Sequence, residues 1–411
     1  MDILKLTGPF SQLITMDGLP ARGPIKDDQL RIFENAGILI KGSHIEAIAP
    51  YQELRNLTPV REENENALTV LPGMIDVHTH ICWAGSRAGD YAKRLSGKNY
   101  IEIAEEGGGI WSTVTKTRNT PGDILAHITA AHAEIMLNEG VTTIEVKSGY
   151  GLNKETELKM LRAIRSASEY TAANLVPTCL AAHIKPRDFE GSTARYIEYI
   201  IKEILPEIMA EELASRADIY IDKGAFDEEE GRHFIIAARE MGFDISVHAD
   251  QFFRGGLRLA VEQGAISADH LEATSDDDIE LLAKSNVIPV ALPGASLGLG
   301  AGFAPARKIL DAGASLVIAS DWNPGSAPMG KLLLQAAILG VYEKLTMAET
   351  LAAISSRASQ VLRLNDRGIL RPGMLADFIA FPCADYREII YSQGALPVAG
   401  VWKNGKKVAR G

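Results

Sequence analysis

Cysteine is scarce in this chain, and its basic residues are outnumbered. Only three cysteines occur, Cys82, Cys179 and Cys383; they are far apart, and no pair has CxxC spacing. A disulfide framework is therefore not expected, which fits a reducing compartment. The 42 lysines and arginines face 53 acidic side chains, for a net charge of −11. The basic footprint that nucleic-acid binding needs is missing. No apolar run approaches the roughly 18 residues needed to cross a bilayer. The opening MDILKLTGPFSQL has no basic stretch leading into an apolar one, so no secretion signal is expected. Together these absences predict a cytoplasmic protein with neither nucleic acid nor membrane as a partner.

Apolar residues still make up 46% of the 411, enough for a large core. Length alone suggests two or three domains, but α/β barrels often use about 250 residues or more as one. The two ends resemble each other. GILIKGSHIEAIAP (37–50) is two apolar runs around Gly-Ser, a hairpin signature. RGILRPGMLADFIAF (367–381) and PVAGVWKNGKKVAR (397–410) alternate apolar and polar residues, and Asn404-Gly405 is a strong two-residue turn. The expectation is a small β-sandwich domain formed from both termini, residues 1–70 and 363–411, around a middle domain of 71–362.

That middle alternates strand-like and helix-like patterns. Eight short apolar runs end in polar residues: LPGMIDVHTH (71–80), TTIEVKSGY (142–150), LVPTCLAAH (175–183), ADIYIDKG (217–224), DISVHAD (244–250), ISADH (266–270), VIPVALPG (287–294) and LVIASD (316–321). Helical stretches such as ETELKMLRAIRSASEY (155–170) lie between them. Repeated β-α alternation implies a parallel sheet, and eight repeats close a (β/α)8 TIM barrel. The polar endings then converge on one mouth. Between His80 and a helix starting near Gly122 runs a connection of about 40 residues, read as a lid or pocket wall because long loops in compact domains are usually functional or disordered.

His78-Thr79-His80 ends the first run. Residues two apart on a strand share a face, so both imidazoles can reach one ion, with Asp76 on the same face. Two histidines at this spacing are weak evidence by themselves. Their context strengthens them: His183, His248 and His270 end the third, fifth and sixth runs, and Asp321 ends the eighth. Five of the nine histidines thus terminate barrel strands. His44, His127, His132 and His233 fall on apparent helices or turns and read as structural. Three imidazoles and a carboxylate suit Zn²⁺ or iron in a site that keeps a position for water.

PGMIDVHTH, an HxxQ segment, a strand-six histidine and ASDWNPGS together resemble the amidohydrolase superfamily. AGSRAGDYAKRLSGKNYIEIAEEGGGI (84–110), VKSGYGL (146–152), ELKMLR (157–162), LPGASLGLG (292–300), FAPARKILDAG (303–313) and DWNPGS (321–326) resemble its imidazolonepropionase family over about residues 70 to 395. The resemblance implies a small-molecule substrate bearing a carboxylate and one Zn²⁺ or iron ion per subunit, held by His78, His80, His248 and Asp321. It gives Arg87 the substrate carboxylate, places Tyr100 and Tyr150 in the pocket wall and sets His183 against the imidazolone ring. His270 would stabilise the oxyanion or relay a proton, Asp321 would accept the proton of water, and Asn323, Gly325 and Ser326 would surround the far end of the ligand. Two positions depart from related hydrolases. Gln251 stands where a glutamate often serves as acid/base, so it is assigned to orienting the ring. Lys223, where a carboxylated lysine bridges two metals in binuclear relatives, is expected to be an ordinary ion-pairing residue. The function implied is hydrolytic ring opening in histidine degradation. The rivals are deamination of a cyclic amidine or opening of a hydantoin-like ring, and a scaffold without catalysis, which would not keep four ligands; a deaminase of neutral bases has no need of Arg87 as a carboxylate clamp. A homodimer is the expected assembly.

Overall fold

The computed structural model describes residues 3–98, 102 and 106–410. Eight parallel strands lie side by side in chain order: Met74–Asp76, Val141–Lys147, Asn174–Ala182, Arg216–Ile221, Asp244–Ala249, Ser267–His270, Ile288–Ala291 and Val317–Ile318. The amide of Asp321 donates to the carbonyl of His78 (3.0 Å) and that of His80 to Trp322 (3.0 Å), joining the chain after strand eight to the chain after strand one. The expected barrel is therefore present, and each expected run overlaps its strand. Parallel strands are covered on both faces, which explains their apolar runs; all seven residues of Val141–Lys147 are buried.

Helices between the strands begin where local chemistry satisfies their first amides. Asn153 Oδ1 accepts from the amide of Thr156 (2.8 Å) and opens Lys154–Ala167, the helix expected over 155–170. Asp227 and Glu230 form a reciprocal capping box at the start of Glu228–Glu240. Among the described residues, no helix is long and apolar enough to cross a membrane.

The ends of the chain build one mixed eight-stranded sheet, in which Thr69–Pro72 pairs with both Leu4–Ile14 and Phe378–Phe381. Phe10, Ile38, Ile40 and Ile45 from its N-terminal part share a core with Phe378, Ala380 and Trp402 from its C-terminal part. Both hairpins form, Ile32–Lys41 with His44–Pro50 and Gly400–Lys403 with Lys406–Arg410. Asn404 (φ 51°) and Gly405 (φ 75°) adopt the two positive angles that this turn requires. His44 opens a strand instead of lying on a helix or turn, because the Gly42-Ser43 turn ends one residue before it.

The long connection after His80 is not an open loop. Among its described residues are the helices Ala88–Leu95 and Ile110–Asn119. Lys159 Nζ fastens the end of the second by donating to the carbonyls of Thr117 (3.1 Å), Arg118 (2.7 Å) and Thr120 (2.9 Å). A cation at the C-terminal end of a helix satisfies exposed carbonyls and complements the dipole.

Candidate active site

The strand ends bring the expected residues together. The ligand atoms of His78, His80 and His248 lie within 4.8 Å of one another, and all three side chains are buried. Asp321 Oδ1 is 3.6 Å from His78 Nε2 and 3.3 Å from His80 Nε2. His78 Nδ1 is 2.6 Å from Asp269 Oδ2, and His248 Nδ1 is 3.0 Å from Asp218 Oδ1. A carboxylate on Nδ1 keeps the proton there and leaves the lone pair on Nε2 pointing inward. His78 Nε2 has no hydrogen-bond partner, and the Nε2 atoms of His248 and His80 face each other at 3.5 Å. Converging lone pairs repel unless a cation sits among them, so the donor set fits a metal ion. Burial, with Lys147 nearby, pulls His80 down to about 3; burial pulls His248 down to about 3 and His183 to about 4. Neutral imidazole is the form that ligates.

Beneath the histidines lies a buried charged layer that the sequence reading did not single out. Asp269 and Asp218 orient His78 and His248, and Lys147 Nζ lies 2.7 Å from Asp218 Oδ2 and 2.9 Å from Glu145 Oε1. Burial opposes the charge on Asp218, but His248 and Lys147 overcome it and hold the carboxyl well below its usual range. Burial pushes Asp269 and Asp76 up to about 7. Asp76 Oδ1 accepts from the amides of His78 (3.3 Å) and Ser320 (3.2 Å), clasping the first and eighth strands. A signal for this layer was present in the sequence: charged residues inside runs assigned to buried strands need partners there.

His270 lies against the same cluster, its ring centroid 5.4 Å from that of His248. Burial disfavours its charged form, yet Glu272 Oε2, 3.6 Å from Nδ1, raises its pKa on balance. His270 (φ 87°) and Asp321 (φ 50°) both leave the extended region just where their strands end. Non-glycine residues held at positive φ concentrate at functional sites. His183 stacks on His80 at 5.5 Å and places Nδ1 3.0 Å from the carbonyl of Gly149. The Tyr150 ring lies 5.9 Å from His80, and burial, then Asp321, raises its hydroxyl well above the usual range. Gln251 Oε1 accepts from the Tyr220 hydroxyl at 2.8 Å, which holds the amide in place. Tyr100 lies outside the described residues.

Arg87 reaches the loop after strand eight. An added Cβ on Gly325 would sit 2.4 Å from Arg87 Nη1, so only glycine allows this approach. With Trp83, Tyr91, His132 and Trp322, the two line a cleft of about 340 Å³. Asn323 turns inward on its own loop: its Oδ1 accepts from the amides of Gly325 and Ser326 (both 2.8 Å), and its Nδ2 donates to the Asp321 carbonyl (2.7 Å) and Ser326 Oγ (2.9 Å). Its contribution is the shape of the turn. Lys223 is exposed and lies over the Phe253 ring at 5.0 Å. Among the described residues it makes this cation–π contact and not the expected ion pair.

A closed parallel barrel with three imidazoles and a carboxylate at its mouth, fused to a sheet from both termini, defines an amidohydrolase. Residues 69–408 match the Amidohydrolase family. A triazine hydrolase variant shares the fold with a TM-score of 0.74 at 17% identity, covering 100% of this chain and 95% of that one. The imidazolonepropionase of Deinococcus deserti is 38% identical, over 97% of this chain and 98% of that protein. That of Bacillus mycoides is 36% identical, over 96% and 94%. The chain belongs to the imidazolonepropionase family, and it is a hydrolase.

Proposed function

We propose that the protein hydrolyses 4-imidazolone-5-propanoate to N-formimidoyl-L-glutamate in histidine breakdown, with one Zn²⁺ or iron ion per subunit held by His78, His80, His248 and Asp321. When bound, such an ion would lower the pKa of a water from about 16 to near 7 and polarise the ring carbonyl. Asp321 takes the proton of the attacking water and passes it to the departing ring nitrogen. His270 donates a hydrogen bond to the carbonyl oxygen as that oxygen gains charge, a contribution worth several kcal/mol in comparable sites. The ring C–N bond breaks, the carbonyl carbon becomes a carboxylate, and the nitrogen stays on the formimidoyl group. His183 and Tyr150 flank the ring, Gln251 orients it, and Arg87 holds the propanoate arm beside Gly325 and Ser326, because a guanidinium fork matches a carboxylate.

The observation that carries this reading is the convergence of His78, His80 and His248 at the barrel mouth, 4.8 Å or less between ligand atoms, on the loop side that also carries Arg87. The test is turnover of freshly generated imidazolone propanoate, followed by loss of the ring absorbance. No turnover by metal-loaded protein, with turnover of a hydantoin or a cyclic amidine instead, would transfer the site to a different amidohydrolase reaction.

A further inference from the structure

Arg87 does not stand alone at the end of its connection. Asp90 Oδ2 accepts from Arg87 Nε at 2.9 Å and, with the same oxygen, from the backbone amide of Gly109 at 2.9 Å. Gly109 is the residue on which Ile110–Asn119 begins, and Asp90 lies in the first turn of Ala88–Leu95. One carboxylate oxygen therefore ties the arginine to both Ala88–Leu95 and the start of Ile110–Asn119. The Arg87 side chain is 9% exposed and that of Asp90 13%. Neither terminal nitrogen of Arg87 has a hydrogen-bond partner among the described residues. With Nε occupied, the guanidinium can offer a ligand only its end-on edge, Nη1 and Nη2, and Nη1 is the atom packed against Gly325. Arg94 Nη1 and Lys116 Nζ complete the bracing, donating to the carbonyls of Gly298 (2.7 Å) and Ser86 (2.9 Å).

We infer that Asp90 is a positioning residue for substrate recognition: it fixes which edge of Arg87 meets the substrate carboxylate and couples that edge to the placement of the Gly109 turn. The inference rests on the assignment of Arg87 to the substrate carboxylate. Two forces oppose each other at this pair. Asp90 partly neutralises the guanidinium, which weakens its pull on an anion. It also removes the rotational freedom of a long side chain, whose loss would otherwise oppose binding. Charge alone predicts tighter substrate binding when Asp90 is neutralised; positioning predicts weaker binding. The second outcome is expected, because a two-bond match depends on angle and the braced geometry makes it in advance.

The experiment is steady-state kinetics on Asp90→Asn, Asp90→Ala, Arg87→Ala and the Asp90→Asn/Arg87→Ala double variant, each loaded with metal and checked by thermal melting. Two substrates are used, imidazolone propanoate and the same ring carrying an ethyl arm. Asp90→Ala is expected to raise KM for the propanoate about tenfold with kcat within twofold, and Asp90→Asn, which keeps one acceptor, by less. Neither should change kcat/KM for the ethyl compound, and Asp90→Asn should add nothing in the Arg87→Ala background. Peptides covering 106–112 should exchange amide hydrogens faster in Asp90→Ala. Equal losses on both substrates, a lowered KM, or effects that add to Arg87→Ala each overturn the positioning role. If Arg87→Ala itself leaves KM unchanged, the clamp assignment has failed first, and the two failures are told apart.

Discussion

Replacing Asp269 should loosen the metal without loosening the fold. Its Oδ2 lies 2.6 Å from His78 Nδ1, with side-chain exposures of 1% and 0%. A charge-assisted hydrogen bond is worth about 1.5–3 kcal/mol net, against about 0.5–1.5 for a neutral one. Asp269→Asn keeps size and one acceptor oxygen but loses the charge, so the difference, about 1–1.5 kcal/mol, predicts roughly tenfold weaker metal binding. Asp269→Leu removes the acceptor, frees the tautomer and leaves Nδ1 unpaired, and should approach the 100-fold end of the range for residues that orient metal ligands. The metal-free fold should respond differently. Burial pushes the Asp269 carboxyl up to about 7, so ionising it at neutral pH costs folding free energy, and Asp269→Asn removes that cost. The metal-free melting temperature should stay level or rise while the metal dissociation constant, read by competition with a chromophoric chelator, grows. His78→Ala, which deletes the ligand, sets the scale. Binding within threefold of wild type in both Asp269 variants, with His78→Ala defective, would refute the reasoning.

Four other substitutions test the site and its surroundings. Gly325→Ala places a Cβ 2.4 Å from Arg87 Nη1, so KM for the carboxylate substrate should rise about tenfold, some 1.4 kcal/mol, with a smaller change in kcat; an unchanged KM would show that Arg87 moves aside freely. His270→Asn should cost on the order of 10² or more in kcat, the usual scale for acid–base groups. Gln251→Glu, still facing the Tyr220 hydroxyl, should show equal or reduced activity with an altered acidic limb, and strong activation by Gln251→Glu beside a silent His270→Asn would move the proton path to position 251. Burial lowers the pKa of His132 despite its hydrogen bond to the Ile81 carbonyl. The unfolded chain therefore binds the proton more readily, and the contribution of His132 to stability is full above the unfolded pKa of about 6.5 and lost as pH falls below it. Wild-type protein should lose more melting temperature than His132→Gln between pH 7.5 and 5.5, and parallel losses would contradict this.

The barrel was legible because apolar runs at barrel spacing, each ending in a polar residue, leave few other ways to bury so much β-branched surface. The hairpins were legible because Asn404-Gly405 and Gly42-Ser43 carry the turn chemistry in their own side chains and backbones. The ligand histidines were visible for a related reason: two residues apart on one strand, or at matching ends of different strands, they share a mouth once the barrel closes. Local patterns could not show which long-range pairs form. The contacts of Asp269 with His78, of Lys147 with Asp218, and of Asp90 with both Arg87 and Gly109 depend on the crossing of distant segments. Lys223 shows the limit from the other side: it was expected to find an acidic partner, and its contact is instead the ring of Phe253, which local spacing does not reveal. The helices Ala88–Leu95 and Ile110–Asn119 inside the 84–121 connection were likewise not expected, because the glycines, serines and charged residues of that segment read as a loop. Sequence determined the fold and the histidines that meet at the barrel mouth, since periodicity and spacing encode direction along a strand, and its motifs carried the family resemblance behind the chemical class. Tertiary structure alone decided which carboxylates orient those residues and which edge of Arg87 faces the cleft, since both are set by angles between elements far apart in the chain.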